Sequence, residues 1–213
     1  SPEEVARRLG DLEDCGAFPA ETAAGENAVA VPFGISWTNH EAAREWAAEI
    51  LRGRTTFAAD GSQLYAEKET TLPIGAVQVG WFENPHDGSR GYEKSGSFEL
   101  LTPKDLLSGD DEPFDPSTRV GERRFHAEVE RAGEFLSKHK GWQERGERMP
   151  LAFFDGTLLV SISLPRTTLQ KSFVQAMVNL VRHSRDVRVP IIGYIDRSFA
   201  RDLVTMVSHF ATE

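Results

Sequence analysis

The sequence predicts an α/β fold in which a mixed β-sheet is flanked by helices. After a first helical segment, three strand-like segments are separated by turn residues, which is the pattern of an antiparallel unit. A helical segment follows, and strand-like and helical segments then alternate, so the later strands must be joined by crossovers that cover a face of the sheet. The expected order of elements is therefore β-β-β-α-β-α-β-α.

The predicted strands are short apolar runs bounded by turn residues. The first occupies residues 55–59 and is β-branched and aromatic, and Asp60-Gly61 after it is expected to form a tight turn. The fourth, at residues 151–160, is interrupted at Asp155. The remaining strands are expected at residues 74–83, 95–101 and 189–195.

The predicted helices carry apolar residues at every third or fourth position. In the second of them, Glu128 lies at the edge of the apolar face, whereas Glu130 and Glu134 point to solvent at about 100° per residue. Residues 105–116 are acidic and poor in apolar side chains, so a mobile surface loop is expected there. The helices are expected at residues 39–52, 119–139, 168–183 and 198–210.

Length and composition are those of an ordinary globular protein. The chain has 213 residues, enough for one large core, and we expect an N-terminal extension at residues 1–38 followed by a single domain at residues 39–213. No apolar run approaches the roughly 20 residues of a membrane span, and no secretion signal is recognisable, so a cytoplasmic location is expected. The one cysteine excludes an internal disulfide and a thiolate metal cluster.

The charge distribution bears on nucleic-acid binding. A net charge of −9 counts against a protein that coats nucleic acid by charge alone. Residues 166–201, however, hold seven basic side chains against two acidic ones. This segment either faces phosphates or forms a solvated helix surface.

The element order resembles that of the ribonuclease H-like fold, a mixed sheet flanked by helices. In that fold the first strand, the helix after the third strand and the fourth strand each place a carboxylate at one end of the sheet, and here those positions hold Asp60, Glu128 and Asp155. Three carboxylates would repel one another, and hard divalent cations such as Mn²⁺ or Mg²⁺ prefer oxygen ligands. We therefore expect a metal site that hydrolyses a nucleic-acid backbone. Each Asp-Gly pair taken alone is also typical of a simple turn.

Several motifs resemble those of the NurA nuclease family. Residues 56–63 (TFAADGSQ) and 151–158 (LAFFDGTL) look like its two aspartate motifs, and residues 190–197 (PIIGYIDR) look like its later strand. Residues 124–128 (RFHAE) are similar to its Arg-and-Glu helix. The match runs in the family's order over roughly residues 40 to 210.

The resemblance implies a Mn²⁺-dependent 5′-to-3′ exonuclease and single-strand endonuclease that resects DNA ends in double-strand break repair. It also implies a homodimer that works with a HerA-type hexameric ATPase. Because the sequence ends at Glu213, we expect the domain to lack the family's usual C-terminal region. The alternative hypothesis is a non-catalytic nuclease-like module that docks such an ATPase or a DNA end.

Further candidate residues lie outside the three carboxylates. Asp196 is either an additional metal ligand or the cap of the helix that follows it. Four basic side chains are candidates for DNA contacts: Arg124, Lys171, Arg182 and Arg197.

Overall fold

A computed structural model describes residues 7, 34–65, 72–88, 90–107, 115–158, 168–195 and 201–211 of the chain. The chain divides into two compact units, one of Ser1–Ala42 with Asp196–Glu213 and the other of Ala43–Ile195. The second unit contains the entire β-sheet of the described residues. Two predicted site residues, Asp196 and Arg197, lie outside the described residues.

The described elements follow the predicted order, with one additional short helix. The strands are β1 (Thr56–Leu64), β2 (Gly75–Asn84), β3 (Glu93–Leu101), β4 (Leu151–Asp155) and β5 (Ile191–Tyr194). The helices are α1 (His40–Leu51), α2 (Pro103–Leu107), α3 (Pro116–Lys138), α4 (Thr168–Val187) and α5 (Asp202–Ala211).

The five strands form one mixed sheet in the order β3-β2-β1-β4-β5. β1 pairs with β2 and β2 with β3 in antiparallel fashion, whereas β1 with β4 and β4 with β5 are parallel. This arrangement of an antiparallel unit followed by two parallel crossovers is the ribonuclease H-like order. The predicted fold class is confirmed.

One face of the sheet is covered by α3 and α4. Phe57 of β1 and Phe154 of β4 are buried in the same cluster as Phe135 of α3 and Leu180 of α4. The rings of Phe57 and Phe135 stack with their centroids 4.9 Å apart. Because neighbouring residues of a strand point to opposite faces, the residues that alternate with this core lie on the other face.

Two sequence predictions about local structure were wrong. Asp60-Gly61 is not a turn, because the ladder between β1 and β2 continues past it to Leu64 opposite Ala76. The predicted loop at residues 105–116 begins inside α2, whose Leu106 is buried among the residues that α3 covers. Asp105 stabilises the first turn of this helix, since its carboxylate accepts hydrogen bonds from the backbone N–H and the hydroxyl of Thr102, the residue before the helix. Residues 108–114 lie outside the described residues.

Candidate functional site

Asp60 and Asp155 are neighbours on the two central strands. The parallel ladder places Ala59 opposite Phe154, so the next residue of each strand, Asp60 and Asp155, comes at the same level. Phe154 belongs to the core under the helices, and strand residues alternate in direction, so both aspartates belong to the other, exposed face. Adjacent strands lie about 4.8 Å apart, which brings the two carboxylates close together.

Glu128 reaches the aspartates from the helix-covered face. It is buried on α3, with 8% of its surface exposed. Its carboxylate lies beside Gly61, at the position that a side chain of residue 61 would occupy. A Cβ added to Gly61 would overlap Oε1 of Glu128 and would lie 2.7 Å from Cγ of Arg124. Only glycine at this position leaves room for the glutamate.

The three carboxylates interact electrostatically. The pKa of Glu128 is raised above its ordinary value, first by burial and further by the negative charges of Asp60 and Asp155. The positive charge of Arg124 and a backbone hydrogen bond from Gly61 lower the same pKa. Glu128 therefore responds to both aspartates although it is attached to the opposite face of the sheet.

Arg124 is a basic side chain that lies next to the carboxylate of Glu128. It lies one helical turn before Glu128, and its Nε is 3.8 Å from Glu128 Oε1. Its Nη1 donates a hydrogen bond to the carbonyl oxygen of Gly61, 3.2 Å away. Within the described part of the chain, its buried Nε has no hydrogen-bond partner. Arg124 thus holds together the strand and the helix that carry two of the three carboxylates.

The other basic candidates lie on α4. Lys171 is exposed and follows the start of the helix, next to Ser172, whose hydroxyl contacts Nε2 of His126 at 2.7 Å. Lys171 therefore lies near the part of α3 that carries His126 and Glu128. Arg182 is exposed and lies eleven residues further along α4, a distance of about 16 Å along the axis. The structure thus does not bring Arg182 to the carboxylates.

A comparison with models of protein families identifies the family of this chain. The model of the NurA domain matches residues 54–212. The chain belongs to the NurA domain family. The resemblance seen in the sequence is confirmed, and the NurA domain places the chain in a family of nucleases. The match begins just before β1 and includes all three carboxylates.

Two solved structures are similar to this NurA domain chain at low identity. RNase H1 from the halophilic archaeon Halobacterium salinarum NRC-1 is 14% identical, with 68% of this chain and 87% of that chain covered and a TM-score of 0.29. The N-terminal RNase H domain of a Mycobacterium tuberculosis protein, solved as a fusion with maltose binding protein, is 15% identical, with 75% and 97% covered and a TM-score of 0.30. Among curated proteins none matches. The family assignment therefore rests on the family model.

The described part of the NurA domain does not contain a preformed metal cage. Across the described ranges, no three His, Cys, Asp or Glu side chains form a group that could hold a metal ion as they stand. Glu128 is held by Gly61 and Arg124, while Asp60 and Asp155 are exposed on the other face.

Of the helices described, none is long and apolar enough to cross a membrane.

Sequence reasoning missed what Gly61 does in the NurA domain. The Asp-Gly pair was expected to form a turn because aspartate and glycine are common there. The signal that would have found its role is an isolated glycine inside a strand pattern, which indicates close approach of another group. Here that group is the carboxylate of Glu128.

Proposed function

We propose that this chain is a metal-dependent deoxyribonuclease in which Asp60, Glu128 and Asp155 hold Mn²⁺ or Mg²⁺. The observation that carries the proposal is the position of Glu128. Its carboxylate lies against Gly61, and its pKa is raised first by burial and then by the charges of Asp60 and Asp155. A buried acid whose ionisation is opposed by two further acids adds no stability through that repulsion, whereas a cation among the three removes it.

The chemistry of the donor set fits a hard divalent cation. All donors are carboxylate oxygens, the ligands that Mg²⁺ and Mn²⁺ prefer. Because the three are not gathered into a cage, we infer that the side chain of Glu128 shifts towards Asp60 and Asp155 when a cation binds. Asp196 is a further candidate ligand.

Each residue then has a distinct task. Asp60 and Asp155 are exposed, so they are open to a phosphodiester approaching the uncovered face. Glu128 supplies a ligand from the covered side, and the positive charge of Arg124 opposes the burial that raises the pKa of Glu128. When bound, divalent cations activate a water molecule and stabilise charge on the phosphodiester. Arg124, Lys171, Arg182 and Arg197 are proposed DNA contacts.

Family membership supports a finer proposal. We infer a 5′-to-3′ exonuclease and single-strand endonuclease that acts in DNA end resection and double-strand break repair in the cytoplasm. The partners proposed on the same grounds are a second copy of the chain and a HerA-type hexameric ATPase.

The test is a cleavage assay on 5′-labelled single- and double-stranded DNA in Mn²⁺, in Mg²⁺ and in chelator. We expect shortened products from the parent only with a metal, and none from Asp60→Asn, Glu128→Gln or Asp155→Asn. The matched control for Glu128 is Glu130→Gln, because Glu130 lies on the same helix but is exposed. Equal cleavage by Glu128→Gln and Glu130→Gln would contradict the proposed site.

The absence of a preformed cage among the described residues favours one alternative, a nuclease-like module that docks a partner without catalysis. Calorimetric titration with Mn²⁺ separates the two functions. A nuclease binds Mn²⁺ with an affinity that falls when Asp155 is replaced by Asn. A docking module shows no heat of binding that depends on these carboxylates.

A further inference from the structure

A row of paired residues crosses the open face of the sheet, and two of its positions, next to the carboxylates, are glycines. Asp60 is paired with Gly80 on β2, and Gly80 is paired with Gly96 on β3. All three residues are exposed. Val79, next to Gly80, is buried under α3, so residue 80 and its partners in the row belong to the uncovered face.

Space above the two glycines is open. A Cβ added to Gly80 would meet, among the described residues, only the backbone oxygen of Ser95 at 4.0 Å. A Cβ added to Gly96 would be 3.4 Å from the backbone oxygen of Val79, an ordinary contact. Neither glycine is required by packing or by a positive φ. Their effect is to leave a flat floor, two strands wide, beside Asp60.

Aromatic side chains form the two walls of this trough. On one side, Phe82 is 52% exposed and its ring lies 5.5 Å from that of Tyr92, which is 58% exposed. On the other side, Phe98 is paired with Gln78 and is 67% exposed. Phe82 and Gln78 each lie two residues from Gly80 on β2, so the walls are about 14 Å apart.

The trough continues past the carboxylates to another aromatic residue. Asp155 is paired with Tyr194 on β5, and Tyr194 is exposed. The row therefore runs from Gly96 and Gly80 through Asp60 and Asp155 to Tyr194. The acids that we assign to catalysis lie within it, not at its rim.

We propose that this trough binds an unpaired nucleic-acid strand, an inference that rests on the proposed function. Bases stack on Phe82, Tyr92 and Phe98, because exposed aromatic rings bind the faces of bases of any sequence. The strand lies across the bare floor, which brings a phosphodiester to Asp60 and Asp155. In a duplex the base faces are occupied by neighbouring bases, so the trough selects unpaired DNA.

The aromatic walls and their continuity with the acids favour this occupant over a protein partner. A protein-docking face does not need an empty row that leads to two carboxylates. Lys94, paired with Phe82, adds a positive charge on the same face. Its position suits a phosphate group.

The experiment measures binding of a fluorescent single-stranded oligonucleotide and of the matching duplex by anisotropy, with the full chain in chelator so that no cleavage occurs. We expect Phe82→Ala and Phe98→Ala each to weaken single-strand binding about tenfold. Gly80→Val adds a side chain to the floor at a position where an added Cβ meets, among the described residues, only the backbone oxygen of Ser95 at 4.0 Å, and we expect it to weaken binding at least as much. Leu100→Ala is the matched control, because Leu100 is 57% exposed on the same face but lies one row beyond Phe98.

The outcomes separate this inference from the proposed function. Asp60→Asn should keep strand binding and lose cleavage in Mn²⁺, since Asp60 acts on the reacting phosphodiester. If the three trough variants bind like the parent while Asp60→Asn still loses cleavage, the trough is wrong and the nuclease assignment stands. Equal losses for Leu100→Ala and Phe98→Ala would also overturn it. A change of mass by light scattering, with strand binding unchanged, would identify the face as a protein interface instead.

Discussion

The carboxylate of Glu128 lies where residue 61 would carry its side chain, and Gly61 has none. This relationship joins the helix-covered face of the sheet to the open one, because Asp60, next to Gly61, belongs to the open face. It also explains how a glutamate under the sheet responds to two aspartates above it. The geometry of the site therefore depends on a residue that bears no functional group.

Gly61→Ala should displace Glu128. The added methyl group would overlap Oε1 of Glu128 and press on Arg124, so we expect about 1–3 kcal/mol of lost stability, the usual cost of overpacking. Cleavage should fall more than tenfold. The control is Gly121→Ala on α3, where no described atom lies within 4 Å of an added Cβ. Urea denaturation and the cleavage assay test both variants, and equal behaviour would contradict the role of Gly61.

Glu128→Gln should stabilise the metal-free protein at pH 7. The substitution removes a buried charge whose ionisation is opposed by burial and by Asp60 and Asp155, so a gain on the order of 1 kcal/mol is expected. Saturating Mn²⁺ should reverse the order, because at 100 times Kd a ligand stabilises the folded parent by about 2.7 kcal/mol. Thermal melts in chelator and in Mn²⁺ measure both effects. A parent that melts at the same temperature in both solutions would argue against a metal at these residues.

The fold could be predicted from the sequence because the spacing of apolar residues indicates which side of each helix or strand is buried. The apolar positions of α3 and the short runs of β1 and β4 identified the elements and their order. They also placed acids on the two central strands and on the helix between them. What they could not report is contact between elements, such as the approach of Glu128 to Gly61.

Other misses have the same physical origin. Leu106 and Leu107 are the only apolar residues between Asp105 and Glu112, so composition favoured a loop, although burial against Val120 makes Leu106 part of the core. Phe98 and Leu100 belong to a strand, yet alternation does not tell which face of the sheet is covered. The open trough beside Asp60 could therefore not be predicted from the sequence, because it depends on the register of the strands.

Arg124→Gln should weaken metal binding without unfolding the chain. Arg124 lowers the pKa of Glu128 and bonds to the carbonyl of Gly61, so its loss raises that pKa further and loosens the strand-helix contact. We expect roughly tenfold weaker Mn²⁺ binding by calorimetry, consistent with the effect of a lost supporting residue. Arg123→Gln is the neighbouring control, since Arg123 pairs with the exposed Glu99. If the two variants bind Mn²⁺ alike, Arg124 has no special role.

Phe135→Ala should be the most destabilising of these substitutions. The ring is 2% exposed and stacks on Phe57 under the central strand, so a loss of about 3–5 kcal/mol is expected. Phe98→Ala removes the same atoms from an exposed position and should leave the urea midpoint nearly unchanged. The urea midpoint of Phe98→Ala also tests whether a variant of the trough folds. A large loss for Phe98→Ala would mean that the open face is covered in solution.

Glu83 lies at the end of the sheet away from the carboxylates. It should make the stability of the protein fall as the pH becomes acidic. His139 and then Lys138 hold its pKa below the ordinary value of 4.5, and Lys138 Nζ donates to both carboxylate oxygens at 2.8 and 2.9 Å. A depressed folded pKa gives stability that is complete above the unfolded value and lost as pH falls through the folded one. Glu83→Gln should therefore cost about 1–3 kcal/mol at pH 7, and the difference from the parent should shrink below pH 4.5.

Glu93→Gln is the control for this last effect, because Glu93 lies 3.8 Å from the same Lys138 but is largely exposed. Water screens that pair, so its removal should leave stability unchanged at every pH. Urea midpoints at pH 7, 4.5 and 3 distinguish the two carboxylates. A Glu83→Gln curve that stays parallel to the parent from pH 7 to 3 would show that the hydrogen bonds from His139 and Lys138 add nothing to the charged form of Glu83.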